Sequence, residues 1–184
     1  MSVQEILLFC NVERQGQMLR KAWKMAEMPE EISSGVHLFD SASALTPEMR
    51  RAVSEAAAVF VFWQGTIYAT DLTEALRKVR EKTGAPFAFL CSASEEGAYH
   101  QGITEKQRDT VRQYLQYGGI KNYRSLWRYI AHELLGAAVT ADAPAPLPWS
   151  GIYDPGTEQV FDSLAAYQAY RPRGEGENAV GLLF

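Results

Sequence analysis

Residues 57–63 read AAVFVFW, a continuous apolar run in the first half of the chain. A short run without polar alternation is typical of a β-strand that is covered on both faces, as the strands of parallel sheets are. Three further runs have the same character: ILLFC at 6–10, VHLF at 36–39 and FAFLC at 87–91. Together the four runs predict the strands of one buried, parallel sheet.

Amphipathic helices are predicted between these strands. Apolar residues recur at helical spacing over residues 18–26 and again over 72–79. A further helix begins after Thr46, which suits an N-cap, with Pro47 at its first position. Strands that alternate with helices of this length indicate right-handed βαβ units. The predicted fold is therefore α/β, a flavodoxin-like parallel sheet with flanking helices.

A polar loop and a helical hairpin are predicted after the fourth strand. The loop is SASEEGAYHQG at 92–102, and Thr104 and Gln107 form a capping-box pattern that begins the next helix. The pair Gly118-Gly119 predicts the turn of the hairpin, which spans residues 104–136, because glycine tolerates positive φ.

The predicted domain organisation has three parts. Residues 1–138 form the α/β domain, 139–150 a proline-rich linker, and 151–184 the truncated start of a following domain. In this last part we expect a turn at Asp154-Pro155-Gly156 and a helix that carries Val160, Phe161, Leu164 and Tyr167. The chain ends in AVGLLF at 179–184, which resembles the start of a strand. We expect this segment to be disordered or to pair with an available sheet edge.

Composition excludes several classes of protein. The 184 residues carry a net charge of −4, and no basic stripe with interleaved aromatic residues is apparent, so nucleic-acid binding is disfavoured. No apolar run is long enough to span a bilayer, and no signal peptide is recognisable, so we expect a cytoplasmic protein without a membrane partner. Cys10 and Cys91 both end apolar runs and are interpreted as buried free thiols.

Common catalytic and metal-binding patterns are missing from the sequence. The loop after the first strand, NVERQGQM, is a poor phosphate cradle, and the third strand ends without the aspartate of a receiver domain. His37, His100 and His132 are far apart, and HELLG at 132–136 lacks the second histidine of a zincin motif. No catalytic residue and no metal ligand is therefore predicted.

Two groups of residues are weak candidates for binding a tetrapyrrole. Glu95, Glu96, Tyr99 and His100 lie in the polar loop after the fourth strand, where functional side chains often occur. Trp127 belongs to an aromatic set on the hairpin that could present a flat surface to a macrocycle. For the loop we favour a solvated connector, and for the aromatic set a place in the core.

The hairpin sequence YLQYGGIKNYRSLWRYIAHELLG (114–136) resembles the N-terminal region of CobN-type cobaltochelatase large subunits. That family has a Tyr-Leu/Phe-x-x-Gly-Gly turn, an asparagine soon after it, and a helix with Leu/Trp and Tyr/Phe positions. The matching residues here are Tyr114, Leu115, Gly118, Gly119, Asn122, Leu126 and Tyr129. The proline-rich linker, the GIYDP turn at 151–155 and the final VGLLF are similar to the family as well. Magnesium-chelatase large subunits are related.

The resemblance implies part of an enzyme that inserts cobalt into a corrin precursor during cobalamin biosynthesis. In that family ATP-Mg is hydrolysed by separate AAA+ partner subunits, while the large subunit binds the tetrapyrrole and the metal. The catalytic residues lie downstream of the region matched here, so this fragment is expected to be inactive alone and to hold no cofactor. The alternatives are a stand-alone tetrapyrrole- or protein-binding α/β module, a magnesium-chelatase fragment, and a flavodoxin-like redox protein.

Overall fold

A computed structural model describes residues 3–65, 71–93, 98–146, 151–154, 157 and 159–171. Within these ranges the strands are β1 (Gln4–Cys10), β2 (Ile32–Leu38), β3 (Ala58–Trp63), β4 (Phe87–Cys91), β5 (Tyr99–Gln101), β6 (Ile152–Asp154) and β7 (Gln159–Phe161). The helices are α1 (Glu13–Lys24), α2 (Pro47–Glu55), α3 (Asp71–Thr83), α4 (Glu105–Tyr117), α5 (Gly119–Leu135) and α6 (Leu164–Tyr170).

The central sheet has the strand order β2-β1-β3-β4-β5. β1 pairs in parallel with β2 and β3, and β3 pairs in parallel with β4. This confirms the predicted α/β fold, and the order of the strands is that of flavodoxin-like sheets. The final strand differs, because β5 is antiparallel to β4.

The prediction of a continuous polar loop over 92–102 was wrong at its end, where residues 99–101 form β5. Tyr99 pairs with Phe89 and Gln101 with Phe87, so the strand is defined by its neighbour. Three residues are too few to show an alternating pattern in the sequence. The fourth predicted strand, at 87–91, is observed as β4 with the same bounds.

Helices cover both faces of the sheet. On one face, α1, α4 and α5 pack against the side chains of Ile6, Leu8, Phe60 and Leu90. On the other, α2 and α3 pack against those of Leu7, Phe9, Val59, Val61 and Phe87. Successive side chains along a strand therefore lie in the two cores alternately, because strand side chains alternate between the faces of a sheet. Since both faces are covered, every residue of the run is apolar.

The predicted helix starts are confirmed. The hydroxyl of Thr46 accepts a hydrogen bond from the Met49 amide at 3.2 Å, and Pro47 is the first residue of α2. At the start of α4 the Thr104 hydroxyl accepts from the Gln107 amide, while the Gln107 side chain accepts from the Thr104 amide. The hairpin turn is at Gly118, whose φ of 65° favours glycine.

The chain divides into two compact units, 1–145 and 146–184. The first unit thus continues through Ala145, and the three-part domain assignment made from the sequence stays a prediction.

In the second unit β6 and β7 form an antiparallel pair. The helix predicted to carry Val160 and Phe161 was wrong at its start: these two residues lie in β7, and α6 begins at Leu164 after the Ser163 cap. The helical spacing of these residues to Leu164 and Tyr167 does not reflect one helix. Phe161 instead packs from β7 against the rings of Tyr167 and Tyr170 on α6. The segment 179–184 lies outside the described residues.

Within the described ranges no helix is long and apolar enough to cross a membrane.

Candidate functional site: the carboxyl edge of the sheet

The carboxyl edge of the sheet is where an open α/β fold presents its ligand-binding crevice. The crevice lies between β1 and β3, because the connections from these two strands leave in opposite directions. At this edge lie Asn11 after β1, Gln64 and Gly65 after β3, and Ser92 after β4, together with the first turns of α1 and α5.

A side chain bridges the mouth of this crevice. The Asn11 amide nitrogen donates to the carbonyl of Gln64 at 3.0 Å, and its oxygen accepts from the Gln64 amide at 2.7 Å. Asn11 follows β1 directly and Gln64 follows β3, so the two bonds tie the two strand ends together. The bridge pairs both the amide and the carbonyl of Gln64.

A second set of bonds connects the ends of β3 and β4. The Cys91 thiol donates to the carbonyl of Gly65 at 2.8 Å, and the Gly65 amide donates to the Ser92 hydroxyl at 3.0 Å. The Gln116 side chain of α4 donates to the Ser92 carbonyl at 2.9 Å. This last bond places the end of α4 at the same edge. The Cys91 and Ser92 side chains thus hold the backbone that follows β3.

Under the start of α1 lies a small buried polar cluster of Cys10, Gln15 and Tyr123. The Gln15 amide nitrogen donates to the Tyr123 hydroxyl at 3.1 Å, and both residues are almost fully buried. Burial raises the pKa of the Cys10 thiol to about 11, so at neutral pH it is a protonated thiol and a poor nucleophile. Burial also raises the pKa of the Tyr123 hydroxyl. The cluster is consistent with a packing role, as predicted for Cys10.

The turn between α4 and α5 holds the segment that follows α5. The side-chain nitrogen of Asn122 donates to the carbonyls of Gly118 and Ala145, both at 2.8 Å. Its oxygen accepts from the Ala145 amide at 3.0 Å. Asn122 is buried, so one side chain closes the turn and fixes a chain segment 23 residues further on.

Two other side chains hold the same segment, residues 137–146, which we call the return segment. The Tyr114 hydroxyl donates to the carbonyl of Asp142, and Nδ1 of His132 lies 3.0 Å from the carbonyl of Ala137. Burial raises the pKa of Tyr114 to about 12, which keeps the donor protonated. Along the return segment, the contacts begin near the end of α5, at His132, and finish near its start, at Asn122. The return segment therefore brings the chain to the carboxyl edge of the sheet.

A groove of about 450 Å³ lies between the return segment and the two helices. Its lining includes Thr110, Tyr129, His132 and Glu133. Burial raises the pKa of the Tyr129 hydroxyl. Among the described residues, no three His, Cys, Asp or Glu side chains are grouped so as to hold a metal ion.

Among the predicted tetrapyrrole candidates that the structure describes, Tyr99 and Trp127 lie on opposite faces of the sheet. Glu95 and Glu96 lie outside the described residues. Tyr99 and His100 are half-buried on β5, where the Tyr99 hydroxyl donates to the Gln101 side chain at 3.1 Å. Trp127 is fully buried and donates from Nε1 to the carbonyl of Leu19 at 3.0 Å, which leaves no face for a macrocycle. The favoured core interpretation is right for Trp127, and binding by the loop residues stays a prediction.

Sequence reasoning missed Asn11 and Asn122 as the residues that organise this edge. An asparagine directly after a buried strand was the available signal for Asn11. For Asn122 the signal was its place in the family pattern, where its role could not be seen. The partner of each is a backbone group distant in the sequence.

Comparisons with known proteins extend this picture. The family model described as CobN/Magnesium Chelatase matches residues 112–184. The uncharacterized protein MJ0908 of Methanocaldococcus jannaschii is 32% identical over 85 residues, which are 45% of this chain and 7% of that protein.

A solved structure is similar in fold. The catalytic subunit of cobaltochelatase from Mycobacterium tuberculosis matches with a TM-score of 0.56 and 16% identity over 82% of this chain. The chain spans only 12% of that subunit. The family match begins on α4 and includes the turn, Asn122 and the return segment. The resemblance seen in the hairpin sequence is thereby confirmed: residues 112–184 of this chain are similar to the CobN/magnesium chelatase family.

Proposed function

We propose that this chain is a non-catalytic positioning unit of an ATP-dependent cobaltochelatase of the CobN type, which inserts cobalt into a corrin precursor in cobalamin biosynthesis. The observation that carries the proposal is the family match over residues 112–184. Cobalt and the corrin are substrates of the whole enzyme, and AAA+ partner subunits hydrolyse ATP.

The contacts of the described residues support a positioning role. Asn122 and Tyr114, two residues of the family pattern, use their polar atoms to hold the backbone of the return segment. Buried hydrogen bonds of this kind fix one arrangement, because breaking them leaves unpaired groups at a cost of about 1–3 kcal/mol each. The unit thus supplies a rigid α/β base from which the chain leaves at a defined point.

A reconstitution assay tests the proposal. The isolated chain is incubated with the corrin substrate, cobalt, ATP and the partner ATPases, beside a full-length CobN-type subunit as the positive control. We expect cobalt insertion by the full-length subunit and none by the isolated chain. Metal insertion by the chain alone would contradict the non-catalytic role.

Magnesium is the second candidate metal, because the matching family description includes both chelatases. The same full-length reconstitution distinguishes the two when cobalt with a corrin and magnesium with a porphyrin are compared side by side. Preference for magnesium and a porphyrin would reassign the substrate and leave the positioning role intact. A porphyrin titration of the isolated chain tests the stand-alone binding module: unchanged absorbance spectra would reject it.

A further inference from the structure

Charge is unevenly divided between the helices of one face and the rest of the chain. Helices α1, α4 and α5 carry ten Lys and Arg but only four Asp and Glu. The remaining sequence carries eight Lys and Arg against eighteen Asp and Glu, since the whole chain has 18 and 22. A chain with a net charge of −4 therefore has one basic helical layer. The sequence order conceals this layer because α1 is far from α4 and α5.

Two helices of this layer, α1 and α5, pack side by side and run parallel. The Gln15 side chain of α1 bonds Tyr123 of α5, and one turn further the Leu19 carbonyl bonds Trp127. Equal spacing on both helices means that α1 and α5 run in the same direction. The indole rings of Trp23 and Trp127, with centroids 5.3 Å apart, pack the two helices together.

The outward stripe of α1 alternates basic and apolar residues. Arg14, Met18, Lys21 and Met25 follow the helical spacing i, i+4, i+7, i+11. Arg14, Lys21 and Met25 are exposed, and Met18 is half-buried. Each of the four precedes by one residue a buried residue of α1 or of the turn after it, so the outward stripe borders the packed face.

The stripe of α5 beside α1 is basic as well. It contains Lys121, Arg124 and Arg128 at the spacing i, i+3, i+7. Arg128 donates to the carbonyl of Ala26 at 2.8 Å and to the carboxylate of Glu27 at 3.1 Å, which places this stripe on the side of α5 that faces the end of α1. The two stripes together are the α1–α5 face.

We propose that the α1–α5 face binds an acidic, amphipathic helix of another protein. Charge complementarity carries this choice, since five of the seven residues that define the two stripes are basic and the other two are methionine, all at exposed or half-exposed positions. One neighbouring acidic residue, Glu27, pairs with Arg128 and leaves the face with a net positive charge. Two parallel helices leave a groove into which a third helix packs by ridges and grooves. The 12 residues of α1 extend about 18 Å, which suits an elongated partner of similar length. This inference does not depend on the proposed function.

The methionines favour a protein partner over a nucleic acid. Methionine is unbranched and polarizable, and it adapts to the apolar side chains of different helices. Nucleic-acid surfaces instead use aromatic side chains for stacking together with basic residues. Complementary charges would align the acidic partner and increase its association rate.

A peptide titration tests this proposal. The probe is a fluorescein-labelled peptide of 18 residues with Glu and Leu at helical spacing, and binding to the whole chain is followed by anisotropy in physiological salt. We expect saturable binding that the double variant Arg14→Glu/Lys121→Glu weakens at least about tenfold, because attraction becomes repulsion. The matched control is Arg50→Glu/Arg51→Glu, which changes the same number of exposed charges on α2, on the opposite face. We expect the control to change the affinity less than about twofold.

Three outcomes would overturn the proposal. They are the absence of saturable binding by the wild-type chain, equal losses in the two double variants, and equal affinity for a scrambled peptide of the same composition, which would show charge attraction alone. Tighter binding of duplex DNA than of the peptide would overturn the choice of partner. Amide chemical shifts of the wild-type chain give a result that needs no variant: the shifts caused by the peptide must map to α1 and α5.

Discussion

The two edges of the sheet are both tied together by side chains, but with different chemistry. At the carboxyl edge, Asn11 is a neutral side chain near the surface and bonds one backbone loop. At the amino edge, Arg80 is fully buried and donates to the carbonyls of Val53, Ala56 and Pro86 at 2.8, 2.8 and 3.0 Å. The comparison teaches that burial and charge make the Arg80 tie at the amino edge stronger than the Asn11 bridge at the carboxyl edge.

Arg80 also explains how α2 ends. Val53 and Ala56 lie at the C-terminal end of this helix, whose last turn has no basic residue of its own. The guanidinium of α3 therefore satisfies carbonyls that a helix end leaves unpaired. Burial lowers the pKa of Arg80 to about 10, but the group remains charged at neutral pH.

The largest effect is expected for Arg80→Met. This change removes the Arg80 donor from the carbonyls of Val53 and Ala56, while that of Pro86 keeps the Val59 amide. We expect the free energy of unfolding to fall by about 3 kcal/mol. Chemical denaturation followed by circular dichroism measures it. Lys78→Met, an exposed position of the same helix, is the matched control and should change stability little. A loss for Arg80→Met no larger than that of the control would refute the assignment of the Arg80 tie as the stronger one.

A smaller effect is expected for Asn122→Ala at the carboxyl edge. The change removes three hydrogen bonds of a buried amide, and we expect a loss of about 2 kcal/mol in the free energy of unfolding. Lys121→Ala, its exposed neighbour, is the control. Urea denaturation of both variants checks the prediction. Should Asn122→Ala exceed Arg80→Met in cost, the ranking of the two edges would be reversed.

Asn11→Ala sharpens the comparison further. The two bonds of Asn11 join backbone groups near the surface, so we expect a cost of only about 1 kcal/mol. Because the partner atoms belong to the backbone of Gln64, the variant Gln64→Ala should leave stability unchanged. Thermal unfolding by calorimetry measures both. Equal losses in the two variants would show that side-chain packing, and not the bridge, holds the β1 and β3 ends.

The smallest effect concerns pH and the edge strand β2. His37 stacks on Phe9 with ring centroids 4.9 Å apart, and burial lowers its pKa. As the pH falls below about 6.5, the unfolded chain takes up the proton before the folded one does. Stability should therefore rise with pH through this window.

The variant His37→Gln tests this pH dependence. Unfolding free energies measured between pH 5 and 7.5 should show a weaker dependence in the variant than in the wild type. An identical slope in the two proteins would assign the pH dependence to other groups.

The core of the fold could be predicted from the sequence because a covered parallel strand has a local signature. The runs at 6–10, 57–63 and 87–91 are apolar throughout, and each is a strand of the sheet. Helix starts were equally local, since Thr46 and Thr104 cap residues three positions away. These patterns need no knowledge of the partner element.

The ties at the two edges could not be predicted in this way. Arg80 occurs in RKVREK, which reads as a solvated helix surface, yet its partners are carbonyls as far as 27 residues away. Asn122 bonds Ala145 across 23 residues, and the sequence of the return segment gives no sign of that contact. Both roles depend on which backbone groups the tertiary fold leaves unpaired.

Hydrogen exchange at the Ala145 amide is the most direct test of the account. The claim is that the family-type turn, through Asn122, holds the return segment at the carboxyl edge. In the wild-type chain the Ala145 amide should be protected, because it donates to the Asn122 side chain at 3.0 Å. In Asn122→Ala we expect this protection to disappear while the amides of β1 and β3 keep theirs. Fast exchange at Ala145 in the wild type, or unchanged protection in the variant, would contradict the claim.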